Sequence, residues 1–183
     1  MNKQSNNKSK KKFKKIHSSS SKPNFTLTQL SAEELTRIIS KIETTYNTTF
    51  KITPTRLYIN SKNKIYFSTI VQMPANLLRI NGIGLYIGTL LDTGEIRLSM
   101  EGTQLLKPPT QNYVILKDEF LSSYVSGENL FFDEIEKESE IQTAPFQIVL
   151  TSSKDSIGVI SKKEKYYLNY LSKGRKMDFN RVF

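Results

Sequence analysis

The sequence predicts an α+β protein in two parts, a small α/β N-terminal unit and a β-rich C-terminal unit, preceded by a basic tail. Three observations carry this expectation. One capped, amphipathic helix pattern near residues 31 to 46 leads into paired β-prone segments; Lys107-Pro108-Pro109-Thr110 interrupts the chain; and a second series of strand, short helix, glycine turn and hairpin follows, ending in a basic segment. With 183 residues and 37% apolar content, the chain has material for one larger domain or two small ones packed together. The expected division is a tail over 1–24, an α+β unit over 25–106 and a β unit over 107–183.

Residues 1–24 contain eight Lys and no acid, with only Phe13 and Ile16 as larger apolar groups in the middle. So little apolar surface does not offset the entropy of ordering, and the tail is expected to be disordered. Its Lys8-Ser9-Lys10-Lys11-Lys12-Phe13-Lys14-Lys15 run suits phosphate binding or a nuclear address in a nucleated host, or is simply a solvated tail. Order is expected from near Phe25. Ser31-Ala32-Glu33-Glu34 has the spacing of a capping box, with Leu30 and Leu35 placed for a hydrophobic staple. Leu35, Ile38, Ile39, Ile42 and Tyr46 then form one apolar stripe on a helix of about four turns, and this face is read as core.

Lys51 to Asn60 and Lys64 to Val71, rich in Ile, Tyr, Phe and Thr, predict a hairpin around Ser61-Lys62-Asn63, with Pro54 at a strand start or bulge. A turn of helix is expected after Pro74. Leu85 to Leu91 and Glu95 to Met100 predict a hairpin around Asp92-Thr93-Gly94, with Arg97 and Ser99 facing away from Ile96, Leu98 and Met100. Gly82, Gly84 and Gly88 lack the spacing, the Walker Lys and the following helix of a phosphate loop, so they are read as allowing a bulge or close packing. Glu101 to Leu106 reads as a short helix broken by the two prolines.

Beyond that break, Tyr113 to Lys117 alternates as a strand, Asp118 is placed to cap a helix through Tyr124, and Gly127 stops that helix. Asp133, Asp/Glu neighbours to Glu140 and Lys137 make a dense acidic stretch, read as a solvated loop or helix face rather than a metal or acid/base site. Phe146 to Leu150, a polar turn from Thr151 to Asp155, and Ile157 to Ile160 form a predicted hairpin, with Tyr166 to Tyr170 as the next strand.

The formal charge of +10 favours a polyanionic partner, and its distribution is more telling than its sum. The tail carries +8; residues 154–183 hold eight basic and three acidic side chains; residues 25–153 hold 11 basic and 14 acidic ones. Positive charge sits at the two ends, leaving the middle better suited to a protein partner. The absence of Cys excludes disulfides, thiolate zinc sites and cysteine nucleophiles, and the single His17 lies in the tail. No cofactor or metal is expected. No apolar run approaches the ~20 residues of a membrane span, and the N-terminus lacks the apolar core of a secretory signal, so the expectation is a soluble cytoplasmic protein, nucleolar in a eukaryotic host.

The pairing of Phe120-Leu121-Ser122-Ser123-Tyr124-Val125-Ser126-Gly127-Glu128-Asn129-Leu130 with the basic ending Asn169-Tyr170-Leu171-Ser172-Lys173-Gly174-Arg175-Lys176 resembles a PUA domain. In such domains an apolar helix enters a Leu-x-Gly-x-x-Leu turn, and a hairpin and a Pro-Lys-Gly-Arg-like strand end follow. Upstream, Gly84 to Leu90 and Gly94 to Leu106 are similar to the block that precedes the PUA domain in two groups. These are the pre-PUA plus PUA ribosome-biogenesis factors, and the archaeal PUA modules associated with NOL/NOP/Sun-type RNA cytosine methyltransferases. Two positions depart from the pattern: Ile160 stands where many PUA hairpins carry a second glycine, and Ser172 replaces the usual proline.

The resemblance implies a pre-PUA-like domain packed on a C-terminal PUA β-barrel, and non-catalytic binding of structured RNA, rRNA or tRNA, in ribosome biogenesis or RNA modification. It implies RNA contact along the helix and glycine turn at Tyr124, Ser126, Gly127, Glu128 and Asn129, together with Lys173, Gly174, Arg175 and Lys176. Lys162, Lys163 and Lys165 add cations for phosphates, interleaved with Tyr166, Tyr167 and Tyr170, of which one strand face must be core. The methyltransferase chemistry itself needs a Cys nucleophile and a large cofactor-binding domain, neither of which this chain has. The RNA would be held for a ribosome-assembly factor or a modifying enzyme; other readings are an accessory subunit of a separate RNA cytosine methyltransferase and a protein-interaction adaptor that meets RNA incidentally.

Overall fold

A computed structural model describes residues 27–70 and 80–177. The expected disorder of residues 1–24 and the helical turn after Pro74 lie outside these residues. A first antiparallel sheet follows chain order through β1 (Thr28–Gln29), β2 (Leu57–Ile59), β3 (Lys64–Phe67), β4 (Leu85–Leu90) and β5 (Ile96–Leu98). Helix α1 (Ala32–Tyr46) lies between β1 and β2, and the short helix α2 (Met100–Gln104) follows β5. The second sheet is built from β6 (Tyr113–Leu116), β7 (Ile135–Glu138), β8 (Gln147–Leu150), β9 (Ser156–Lys162) and β10 (Tyr167–Asn169), in the order β10-β9-β8-β6-β7. Its β6–β8 pair is parallel and its other pairs antiparallel. A 3₁₀ turn (Asp118–Phe120) and helix α3 (Leu121–Ser126) connect β6 to β7.

Helix α1 starts where its side chains satisfy orphan backbone donors. The Ser31 hydroxyl accepts from the Glu34 amide at 3.2 Å, and the Glu34 carboxylate accepts from the Ser31 amide at 2.9 Å. Its stripe of Ile38, Ile39, Ile42 and Tyr46 is buried against Leu57, Ile65, Ile87 and Leu98 of the first sheet. A bulge between Ile65 and Tyr66 lies opposite Gly88 and Tyr86, in the glycine-bearing strand.

Strands β8 and β9 have two faces, and each meets a different core. Ile148, Leu150 and Val159 join the α1 cluster, whereas Val149 and Ile160 join Val114, Leu116, Tyr124, Leu130 and Tyr167 in a second one. This alternation is the period of two expected of strands buried on both sides. The second sheet curls into a half-barrel. Tyr167 on the β10 edge exchanges backbone hydrogen bonds with Leu130, and its hydroxyl donates to Glu138 on the opposite edge strand β7.

Four local expectations are corrected. The first hairpin is shorter than its composition indicates: only Leu57–Ile59 pairs as a strand, because Pro54 has no amide to donate and the chain at 51–56 is irregular. Asp118 does not cap a helix; it sits inside the 3₁₀ turn and its carboxylate accepts from the Ser152 hydroxyl at 2.9 Å. The acidic stretch is neither loop nor helix face but a 3₁₀ turn (Phe132–Glu134) followed by edge strand β7. The last strand spans Tyr167–Asn169 rather than Tyr166 to Tyr170.

Candidate nucleic-acid interface

Helix α3 ends in a Schellman turn. Gly127 takes φ 90°, its amide bonds to the Tyr124 carbonyl at 2.9 Å, and the Glu128 amide bonds to the Ser123 carbonyl at 3.1 Å. A side chain at Gly127 would meet two obstacles, the positive φ and the Lys176 side chain packed over the site. The turn leaves Glu128 and Asn129 exposed.

The basic C-terminal segment lies against this turn. Asn169 is the junction: its side-chain amide donates to the carbonyls of Tyr124 and Glu128, both at 2.8 Å, and its carbonyl oxygen accepts from the Leu171 amide at 2.7 Å. Its own backbone amide donates to Asn129 Oδ1 at 3.1 Å. Farther on, the Met177 amide donates to the Val125 carbonyl at 2.9 Å and Lys176 Nζ to the Gly127 carbonyl at 3.3 Å. The two segments paired in the sequence reading are therefore adjacent in space, joined by an asparagine that the reading did not place in the site.

The individual positions differ in what they offer a ligand. Tyr124 is fully buried, so its expected contact with RNA is corrected: its ring fills the second core under Gly158. Its hydroxyl lacks a hydrogen-bond partner, and burial pushes its pKa up. Ser126 donates its hydroxyl back to the Ser122 carbonyl. Lys163, Lys165 and Lys173 are exposed and have no ion-pair partner among the described residues, and Gly174 has open space around it. Arg175 is paired with Glu101 of α2, and Lys162 with Glu138 at 3.0 Å. Burial opposes ionisation of Glu138, but hydrogen bonds from Tyr167 and Lys162 and the charge of Lys162 outweigh it, holding the carboxyl below its ordinary value. The Tyr167 hydroxyl is pushed up by burial and by its bond to that carboxylate.

Of the interleaved tyrosines, Tyr167 is core while Tyr166 and Tyr170 are half-buried, Tyr170 under the Arg97 guanidinium at 4.7 Å. Among the described residues no group of three or more His, Cys, Asp or Glu side chains could hold a metal ion. No described helix is long and apolar enough to cross a membrane.

No protein-family profile and no curated protein matches the chain. Solved structures do. One is the structure of a conserved PUA domain protein from Thermoplasma acidophilum, with a TM-score of 0.55 at 17% identity, covering 81% of this chain and 95% of that one. The chain shares the fold of a PUA domain protein.

Proposed function

We propose that this protein binds structured RNA, rRNA or tRNA, without catalysing a reaction on it, and acts in ribosome biogenesis or RNA modification. The observation that carries the reading is the Asn169 junction, which holds the glycine turn, with its exposed Glu128 and Asn129, beside the cationic segment Lys173 to Lys176. Its likeness in fold to a PUA domain protein supports the same reading. Residues 25–106 would form a pre-PUA-like unit that meets an assembly factor or a methyltransferase as partner, and residues 107–183 the RNA-reading unit. Phosphate contacts belong to the unpaired cations Lys163, Lys165 and Lys173, with Lys176 and the turn completing the surface. The tail over 1–24 adds affinity that high salt removes.

The unpaired lysines also define the cleanest test. Reversing Arg175 would set a second carboxylate against Glu101, so K163E/K165E/K173E is the better variant. Crosslinking to RNA in native cells, followed by sequencing, should give discrete rRNA or tRNA sites that are lost in this variant and kept in a protein lacking residues 1–24. In vitro, each removed phosphate contact lowers the salt slope of binding by about 1. Crosslinks that disappear only with the tail would defeat the reading.

A further inference from the structure

Phe131 and Phe132 are the only aromatic side chains among the described residues left exposed, at 56% and 40% of their surfaces. They follow the glycine turn directly. The backbone that presents them is fixed on both sides: Leu130 exchanges hydrogen bonds with Tyr167 at 3.1 and 2.7 Å, and the Phe131 amide donates to the Glu134 carboxylate at 2.7 Å. The Phe132 ring packs edge-on to Tyr167 at 5.3 Å, and Lys162 Nζ lies 5.4 Å from its centroid, held there by Glu138. Phe131 makes no ring or cation contact among the described residues. Two exposed apolar rings on a fixed backbone beside a cation have the make-up of surfaces on which nucleobases stack.

We propose that Phe131 and Phe132 stack an unpaired nucleobase of the bound RNA, with Lys162, Lys163 and Lys165 toward its adjoining phosphates. This rests on the RNA-binding reading and narrows it to RNA with an unstacked nucleotide, in a loop, a bulge or an end, because paired A-form bases present no free face. The acids that follow the rings, the exposed Asp133 and the half-buried Glu134, whose carboxylate accepts from the Phe131 amide, disfavour a phosphate directly on them, which leaves the base as the fitting group. An apolar protein surface is a poorer fit, since covering the rings would also take Lys162 and Asp133 out of water.

The test uses the full chain and two probes: a hairpin RNA with a single-stranded 3′ adenosine extension, and the same hairpin with abasic riboses in the extension. Both carry equal phosphate charge. The wild type should bind the first about tenfold more tightly than the second. F131A, and F132L, which keeps an apolar contact to Tyr167, should bind both hairpins as the wild type binds the abasic one, with unchanged circular dichroism. A wild type that does not distinguish the hairpins overturns the stacking site while leaving RNA binding intact. Discrimination retained in F131A overturns it too, and equal weakening on both hairpins makes the rings structural. Failure of the wild type to bind either probe sinks this proposal together with the reading beneath it.

Discussion

Helices α1 and α3 both close on a residue in the left-handed region, Asn47 at φ 45° and Gly127 at φ 90°, yet they are held by different means. Helix α1 has 15 residues, a complete capping box and four buried stripe residues, so its start and its core face are set within itself, and only the carbonyls of its last turn are met from afar, by Gln111 and Asn112. Helix α3 has six residues, opens from a 3₁₀ turn with no side-chain cap, and buries only Tyr124. A helix so short has no stability of its own in water. What secures α3 comes from 40 residues and more away: Asn169, Lys176 and Met177. The contrast teaches that the element supporting the core is coded locally, whereas the element presenting the candidate site is coded by tertiary contacts, so the site can be loosened while the core stays intact.

Asn169→Ala separates the two helices most sharply. It leaves the Tyr124 and Glu128 carbonyls and the Leu171 amide without this partner, at a cost of about 1–3 kcal/mol. Hydrogen exchange should accelerate in α3 and not in α1, and RNA affinity should fall. Equal acceleration in both helices would mean that they are not independently secured. Ser31→Ala is the converse and smaller change. Losing the cap should lower urea-measured stability by about 1 kcal/mol and leave RNA affinity unaltered.

The smallest effect expected is a pH dependence at the half-barrel closure. Glu138 is held below its ordinary value of 4.5, so its contribution to stability is present above that value and is lost as pH falls through the lowered folded one. Urea midpoints measured across this acid range should show a Glu138 component that disappears in E138Q. Identical acid limbs in the two proteins would remove the carboxylate from the closure.

Where the determinants are local, they were legible in the sequence. The capping box and stripe of α1, the β4–β5 hairpin and the glycine stop of α3 all depend on neighbours within a few positions, and all are found where the pattern puts them. Strand β7 was hidden because it is an edge: Glu136 and Lys137 face water, which gives a strand the composition of a loop. The two-residue strand β1 is too short to leave a pattern. In the candidate site, sequence could nominate the glycine turn and the cations but not rank them. Whether a lysine or arginine is spare depends on partners such as Glu101, 74 residues from Arg175, and no spacing rule reaches that far. For the same reason Tyr124, expected at the RNA surface, is core, while Asn169, to which the pattern assigns no role, makes the junction. Nothing in the sequence marks the Phe131-Phe132 doublet as exposed; only the structure shows it.

Strands β8 and β9, with one face in each apolar cluster, bear on how the chain can be divided. The prolines at 108 and 109 look like a convenient place to cut, yet a fragment beginning there would carry Ile148, Leu150 and Val159, with Tyr113 and Ile115 beside them, stripped of the cover that α1 and the first sheet provide. Such a fragment would expose a continuous oily face and clump with its own copies. The two halves are thus co-folding partners, each serving as the other's solvent shield, and they would melt in a single transition.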